Sequence, residues 1–176
     1  PGRKPRQRAI PDDLLGRLAL EKDNGISGGI YHKVQIELTY NSNHIEGSRL
    51  SHEQTRYIFE TNTIDAPDGS VNVDDILETV NHFRCIDMMI DQAKRPITET
   101  MIKQLHLLLK SGTADSRKSW FAVGEYKKLA NEVGGRETAA PGDVPKKMKE
   151  LLSDYGKLEK VIFDDLLDFT SRSEER

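Results

Sequence analysis

Cysteine is almost absent. Cys85 is the one thiol among 176 residues, which excludes an internal disulfide framework and suits a reducing cytoplasm. Long apolar runs are absent too. None approaches the ~18 residues of a membrane-spanning helix, and no secretory signal is visible, so no membrane partner is expected. A strong charge of either sign is also lacking. The 26 basic and 29 acidic side chains leave a net charge of −3, so the chain as a whole is no polyanion binder and nucleic acid is not an expected partner. With 31% charged and 36% hydrophobic residues, and with 7 Pro and 13 Gly spread along it, the chain reads as one soluble, globular domain. It starts at Pro1 rather than Met, so further upstream sequence is expected.

Familiar catalytic constellations are scarce. His52-Glu53 begins like a zinc-protease helix, but Arg56 stands where the second histidine belongs. The five histidines are isolated from one another, and no Cys or carboxylate cluster has metal spacing. Gly134-Gly135 is too short to cradle a phosphate. Cys85 falls in a long amphipathic helix, the setting of a buried structural thiol. His82 and His106 read as helix-surface or core-edge histidines.

What is present is helical periodicity. The first eight residues, P-G-R-K-P-R-Q-R, are a basic tail, read as a solvated terminus rather than a minor-groove DNA arm. Pro11-Asp12-Asp13 opens a short helix that stops at Asp23-Asn24-Gly25. A second helix runs from about Ile30 to Glu46, with Ile30, Val34, Leu38 and Ile45 as its buried stripe. Ser51 with Gln54 forms a capping box that starts a third helix. After the turn-rich loop Asp65–Ser70 comes the longest helix, about Val73 to Lys94, facing inward through Ile76, Val80, Phe83 and Ile90. Thr98 starts another helix, with Met101, Leu105 and Leu108 inward and Gly112 closing it. V-G-E-Y-K-K-L-A-N-E-V-G-G, 123–135, predicts a β-hairpin with strands at Glu125–Lys127 and Glu132–Val133 around Leu129-Ala130-Asn131. Pro145 opens a helix with Met148, Leu151, Leu152 and Tyr155 inward. Val161-Ile162-Phe163 begins the last helix, and the polar T-S-R-S-E-E-R ends the chain. The fold class is all-α with one small hairpin.

One stretch stands out. In S-N-H-I-E-G, Ser42 to Gly47, a glutamate precedes the glycine that should end the second helix. A carboxylate at the negative end of a helix dipole costs roughly 0.3–1 kcal/mol. Held at a rigid helix end, however, it is placed to take an Arg from another segment as a bidentate pair.

The stretch fits the pattern [ST]-x-x-x-E-[GN] and resembles the inhibitory motif of Fic proteins, which transfer AMP from ATP to a protein hydroxyl. L-H-L-L-L-K-S-G at 105–112 and the segment 123–135 resemble the core helix and hairpin "flap" of the subclass carrying its inhibitory helix ahead of the core. The similarity spans roughly Gly28 to Phe169. It implies a Fic-like helical bundle in four parts: a basic tail and short helix (1–27), an inhibitory-helix region (28–60), an incomplete core (61–169) and a polar tail (170–176). It implies that Glu46 pairs with an Arg of the active-site loop and blocks a productive γ-phosphate pose, that Ser42 helps hold the helix, and that Gly47 ends it. It also implies that the flap docks a protein target by strand addition, through Val123, Gly124, Glu125, Tyr126, Lys127, Glu132 and Val133.

The family's catalytic signature, H-x-F-x-[DE]-G-N-G-R-x-x-R, does not occur in these residues. No catalytic residue is therefore assigned, the C-terminal catalytic helices are expected to be missing, and ATP and Mg²⁺ are expected to bind the intact enzyme rather than this chain alone. A fragment, a frameshifted reading and a degenerate protein all fit, and a stand-alone binding or antitoxin-like inhibitor module is the alternative function. Missing helices would bare the apolar faces of the long helix and of Val161–Phe169, which favours self-association, so a homo-oligomer is also open.

Overall fold

A computed structural model describes residues 11–66 and 69–174. The basic tail lies outside the described residues, as do two positions of the loop after the third helix. The chain divides after Lys94 into two compact units, inside the segment expected as one core.

The first unit holds four helices: α1 (Leu14–Asp23), α2 (Ile30–Ile45), α3 (His52–Thr61) and α4 (Val73–Gln92). Their starts follow from capping chemistry. Asp13 accepts from the Gly16 N–H at 2.7 Å and so satisfies an orphan donor of α1. Ser51 and Gln54 form the anticipated reciprocal box on α3. The N-cap of α2 is Gly29, which has no side chain to offer. Glu21 of α1 substitutes, its buried carboxylate accepting from the Tyr31 N–H at 2.8 Å. Leu50, Ile58 and Phe83 form an apolar cluster, with Phe59, Ile76 and Val80 packed against it.

The buried stripe of α2 differs from the expected one. Leu38 and Ile45 are 43% and 82% exposed. Gln35, Ile36, Thr39 and Asn43 are buried instead. The helix is rotated because three of those four side chains find hydrogen-bond partners on α4, which offsets much of the cost of burying them, although Gln35 Oε1 is buried without a partner. The long helix ends at Gln92, two residues before the expected Lys94.

The second unit holds α5 (Glu99–Leu109), a short 3-10 turn (Asp115–Arg117), strands β1 (Glu132–Val133) and β2 (Arg136–Glu137), then α6 (Val144–Tyr155) and α7 (Phe163–Glu174). Ala139, Val144, Met148 and Leu151 are its buried cluster, packed by Ile102, Tyr126 and Phe169. Thr98 caps α5 and Pro145 sits in the first turn of α6, as the sequence suggests. The polar 170–174 segment is the last part of α7, where Arg172 reaches Asp154 of α6 at 3.2 Å. Ile162, just before this helix, and Phe163, Leu166 and Leu167 along it are between 47% and 70% exposed.

The hairpin is real but out of the expected register. Glu132 faces Glu137 and Val133 faces Arg136 in an antiparallel pair, and the turn is Gly134-Gly135. Both glycines have positive φ, +57° and +77°, as a two-residue type I′ loop requires. Leu129-Ala130-Asn131 offers only Asn131 for that conformation, where the two glycines supply both positions. Glu125–Lys127 is not a strand.

Candidate functional site

The S-N-H-I-E-G stretch closes α2 as a Schellman motif. The Gly47 N–H donates to the His44 carbonyl at 3.1 Å and the Ser48 N–H to the Asn43 carbonyl at 2.9 Å. Gly47 has φ +94°, which only glycine adopts without strain. Glu46 is the C-cap, exposed, with its N–H on the Ser42 carbonyl at 3.2 Å. Among the described residues no side chain pairs with its carboxylate. Ser42 is half-buried, and its hydroxyl makes no hydrogen bond among the described residues. Sequence reasoning placed the helix end correctly, but the residue that anchors this turn, Asn43, escaped it. Asn43 is 7% exposed and donates from Nδ2 to the Thr79 hydroxyl at 3.0 Å.

Beside this turn lies an open groove of roughly 870 Å³, whose walls include Gly47, Arg49, Ser51, Glu53, Tyr57 and Asp75. The Arg49 N–H donates to Asp75 at 3.0 Å, which ties the exit from α2 to the first turn of α4. Glu46 is not one of its walls. Aromatic rings also meet at the α2 end: Tyr40 stacks on His44 at 5.5 Å and meets His52 edge-on at 5.3 Å, and His52 lies 3.0 Å from the Glu37 carboxylate.

The residues expected as the flap separate into two groups. Glu132 and Val133 are on the exposed hairpin. Val123 to Lys127 form the turn-rich segment that packs on α5: the Gly124 N–H donates to His106 Nδ1 at 3.1 Å, and the Lys103 ammonium sits 4.5 Å from the Tyr126 ring centre and 2.9 Å from Glu125. Lys127 fastens the base of the hairpin, donating to Asn131 Oδ1 at 2.6 Å and to the Thr138 hydroxyl.

Titration follows burial. Burial pushes the Cys85 thiol up to about 11, which makes it a poor nucleophile. Burial, reinforced by Asp87, pushes Tyr31 up to about 12. Burial pushes His82, whose Nδ1 lies 2.9 Å from the Thr39 hydroxyl, below its ordinary 6.5. A depressed histidine contributes stability that is fully present above the unfolded value and is lost as pH falls from there through the lowered folded value, because the unfolded chain takes up a proton the folded one refuses. Urea melts of the first unit should therefore weaken below about pH 6.5, and His82→Gln should flatten part of that fall. An unchanged slope in the variant would mean His82 does not carry it.

Among the described residues no three His, Cys, Asp or Glu side chains converge as metal ligands. Gly134-Gly135 is committed to the hairpin turn.

No protein-family model matches the chain. No curated protein matches it. Among solved structures it is similar to a Fic domain containing signaling protein from Bacteroides thetaiotaomicron VPI-5482, with 26% identity and a TM-score of 0.61 over 81% of this chain and 55% of that one. The chain thus spans about half the length of the solved structure it matches. With seven helices and one two-stranded antiparallel sheet among its described residues, the chain has an all-α, Fic-like fold.

Proposed function

We propose that this chain is the regulatory and target-docking part of a Fic-type protein adenylyltransferase, with Glu46 as its inhibitory carboxylate. The observation that carries the reading is the state of Glu46. It stands at a helix end fixed by two Schellman hydrogen bonds, exposed, with no partner for its carboxylate among the described residues. A carboxylate so placed carries a dipole penalty that a guanidinium from the catalytic loop would offset. An Arg held in that way is withdrawn from the γ-phosphate, and AMP transfer is suppressed. The likeness to a Fic domain containing protein supports the same reading. The exposed strands of the hairpin supply main-chain donors and acceptors for an extended target segment, with Glu132 and Val133 on one edge and Arg136 and Glu137 on the other.

The test uses a protein that carries both this chain and an H-x-F-x-[DE]-G-N-G-R signature. Glu46→Gly should raise AMP transfer to protein about tenfold or more, since each factor of ten corresponds to ~1.4 kcal/mol of barrier. An unchanged rate would remove Glu46 from the inhibitory role.

A further inference from the structure

The seam between α2 and α4 is built from polar side chains, one per turn of α2. Gln35 donates to Asp87 at 2.8 Å and to the Phe83 carbonyl at 3.3 Å, the Thr39 hydroxyl meets His82 at 2.9 Å, and Asn43 donates to Thr79 at 3.0 Å. Gln35, Thr39 and Thr79 are fully buried and Asn43 nearly so. Each four-residue step up α2 is matched by a step back along α4, so the two helices run antiparallel with a hydrogen-bonded pair at each level. Apolar contacts are non-directional and tolerate sliding. A hydrogen bond is lost once its atoms separate beyond about 3.5 Å, so a slide of roughly an ångström, or a modest rotation of α2, breaks the ladder.

The last rung differs from the other two. Asn43 uses its side chain on Thr79 while its own carbonyl accepts the Ser48 N–H that closes the Schellman turn. One residue therefore couples the register of the seam to the turn that presents Glu46. We infer that Asn43 and Thr79 are positioning residues for Glu46, fixing the height and rotation of the end of α2. This rests on the inhibitory reading of Glu46, which gives that position its importance, although the geometry is testable without it.

Spin labels on Ile45→Cys, in the last turn of α2, and Ala93→Cys, just past α4, are both on exposed positions. The buried Cys85 thiol stays unlabelled in the folded chain. Pulsed dipolar spectroscopy then reads the distance from the end of α2 to the far end of α4. Thr79→Ser keeps the hydroxyl and should leave the parent's narrow distribution unchanged. Thr79→Val keeps the shape but removes the acceptor, and should shift and broaden it. Thr39→Val, which cuts a rung one turn earlier, should leave the distribution narrow. The double variant Asn43→Leu, Thr79→Val removes both polar partners without orphaning either, and should broaden the distribution even if Thr79→Val alone fails to fold. A parent-like distribution in Thr79→Val or in the double variant overturns the inference. So does equal broadening in Thr39→Val, which would mark the rungs as generic seam contacts. The readout is a distance, so its failure leaves the inhibitory role of Glu46 standing, and an AMP-transfer rate indifferent to Glu46→Gly leaves the positioning result standing.

Discussion

Gln35→Ala should destabilise the first unit by about 2–4 kcal/mol, combining a cavity with the loss of a hydrogen bond to a charged group. Gln35 is 0% exposed, and its Nε2 lies 2.8 Å from Asp87 Oδ1, 3.0 Å from the Tyr31 hydroxyl and 3.3 Å from the Phe83 carbonyl. The Tyr31 hydroxyl donates to the same Asp87 oxygen at 2.7 Å, so truncation strips one of two donors from a part-buried carboxylate. Gln35→Met separates the two causes. It refills most of the volume without restoring a donor, so it should still lose roughly 1.5–3 kcal/mol, the usual worth of a hydrogen bond to a charge. Urea titration followed by far-ultraviolet circular dichroism reads both variants. A methionine variant as stable as the parent would show that the ladder contributes packing alone.

That residue also shows where the sequence could be read and where it could not. Helix starts and stops were legible because they are set within a few residues: Asp13 on α1, Ser51 with Gln54 on α3, Thr98 on α5, and Gly47 ending α2. The face of α2 was not. An apolar-periodicity reading selects Leu38 and Ile45, and it has no means of knowing that Gln35, Thr39 and Asn43 will meet donors and acceptors on a helix about 40 residues away. Burying a polar side chain depends on its partner, and the partner is a tertiary fact. The hairpin register is a different case. Gly134-Gly135 is a two-residue I′ turn signal in plain view, and weighing it only as a phosphate loop displaced the predicted strands. At the candidate site the position of Glu46 was readable from Gly47. The adjoining groove was not, because its walls come from the end of α2, from α3 and from the start of α4.

Leu151→Ala should be the most damaging substitution in the second unit, at about 2–5 kcal/mol. Leu151 is 1% exposed, at the centre of the cluster with Ala139, Val144 and Met148. That cluster is small, and Tyr126, Ile102 and Phe169 only partly close it, so few neighbours can shift to refill a missing isobutyl group. For a mid-range urea slope of roughly 2 kcal/mol per molar, the midpoint should fall by about 1–2.5 M. Each unit carries its own native reporter. Trp120, the one tryptophan, lies in the second unit, and its ring meets Phe121 edge-on at 6.0 Å. Cys85, the one thiol, is buried in the first. Trp120 fluorescence should therefore record the lowered midpoint, and Cys85 labelling should report the first unit separately. Leu151→Met, which conserves volume, should cost less than about 1.5 kcal/mol. Equal losses for alanine and methionine would mean that the site demands the shape of leucine. A loss below about 1 kcal/mol for alanine would mean that the cluster collapses around the smaller side chain and that the second unit does not depend on Leu151 for its core.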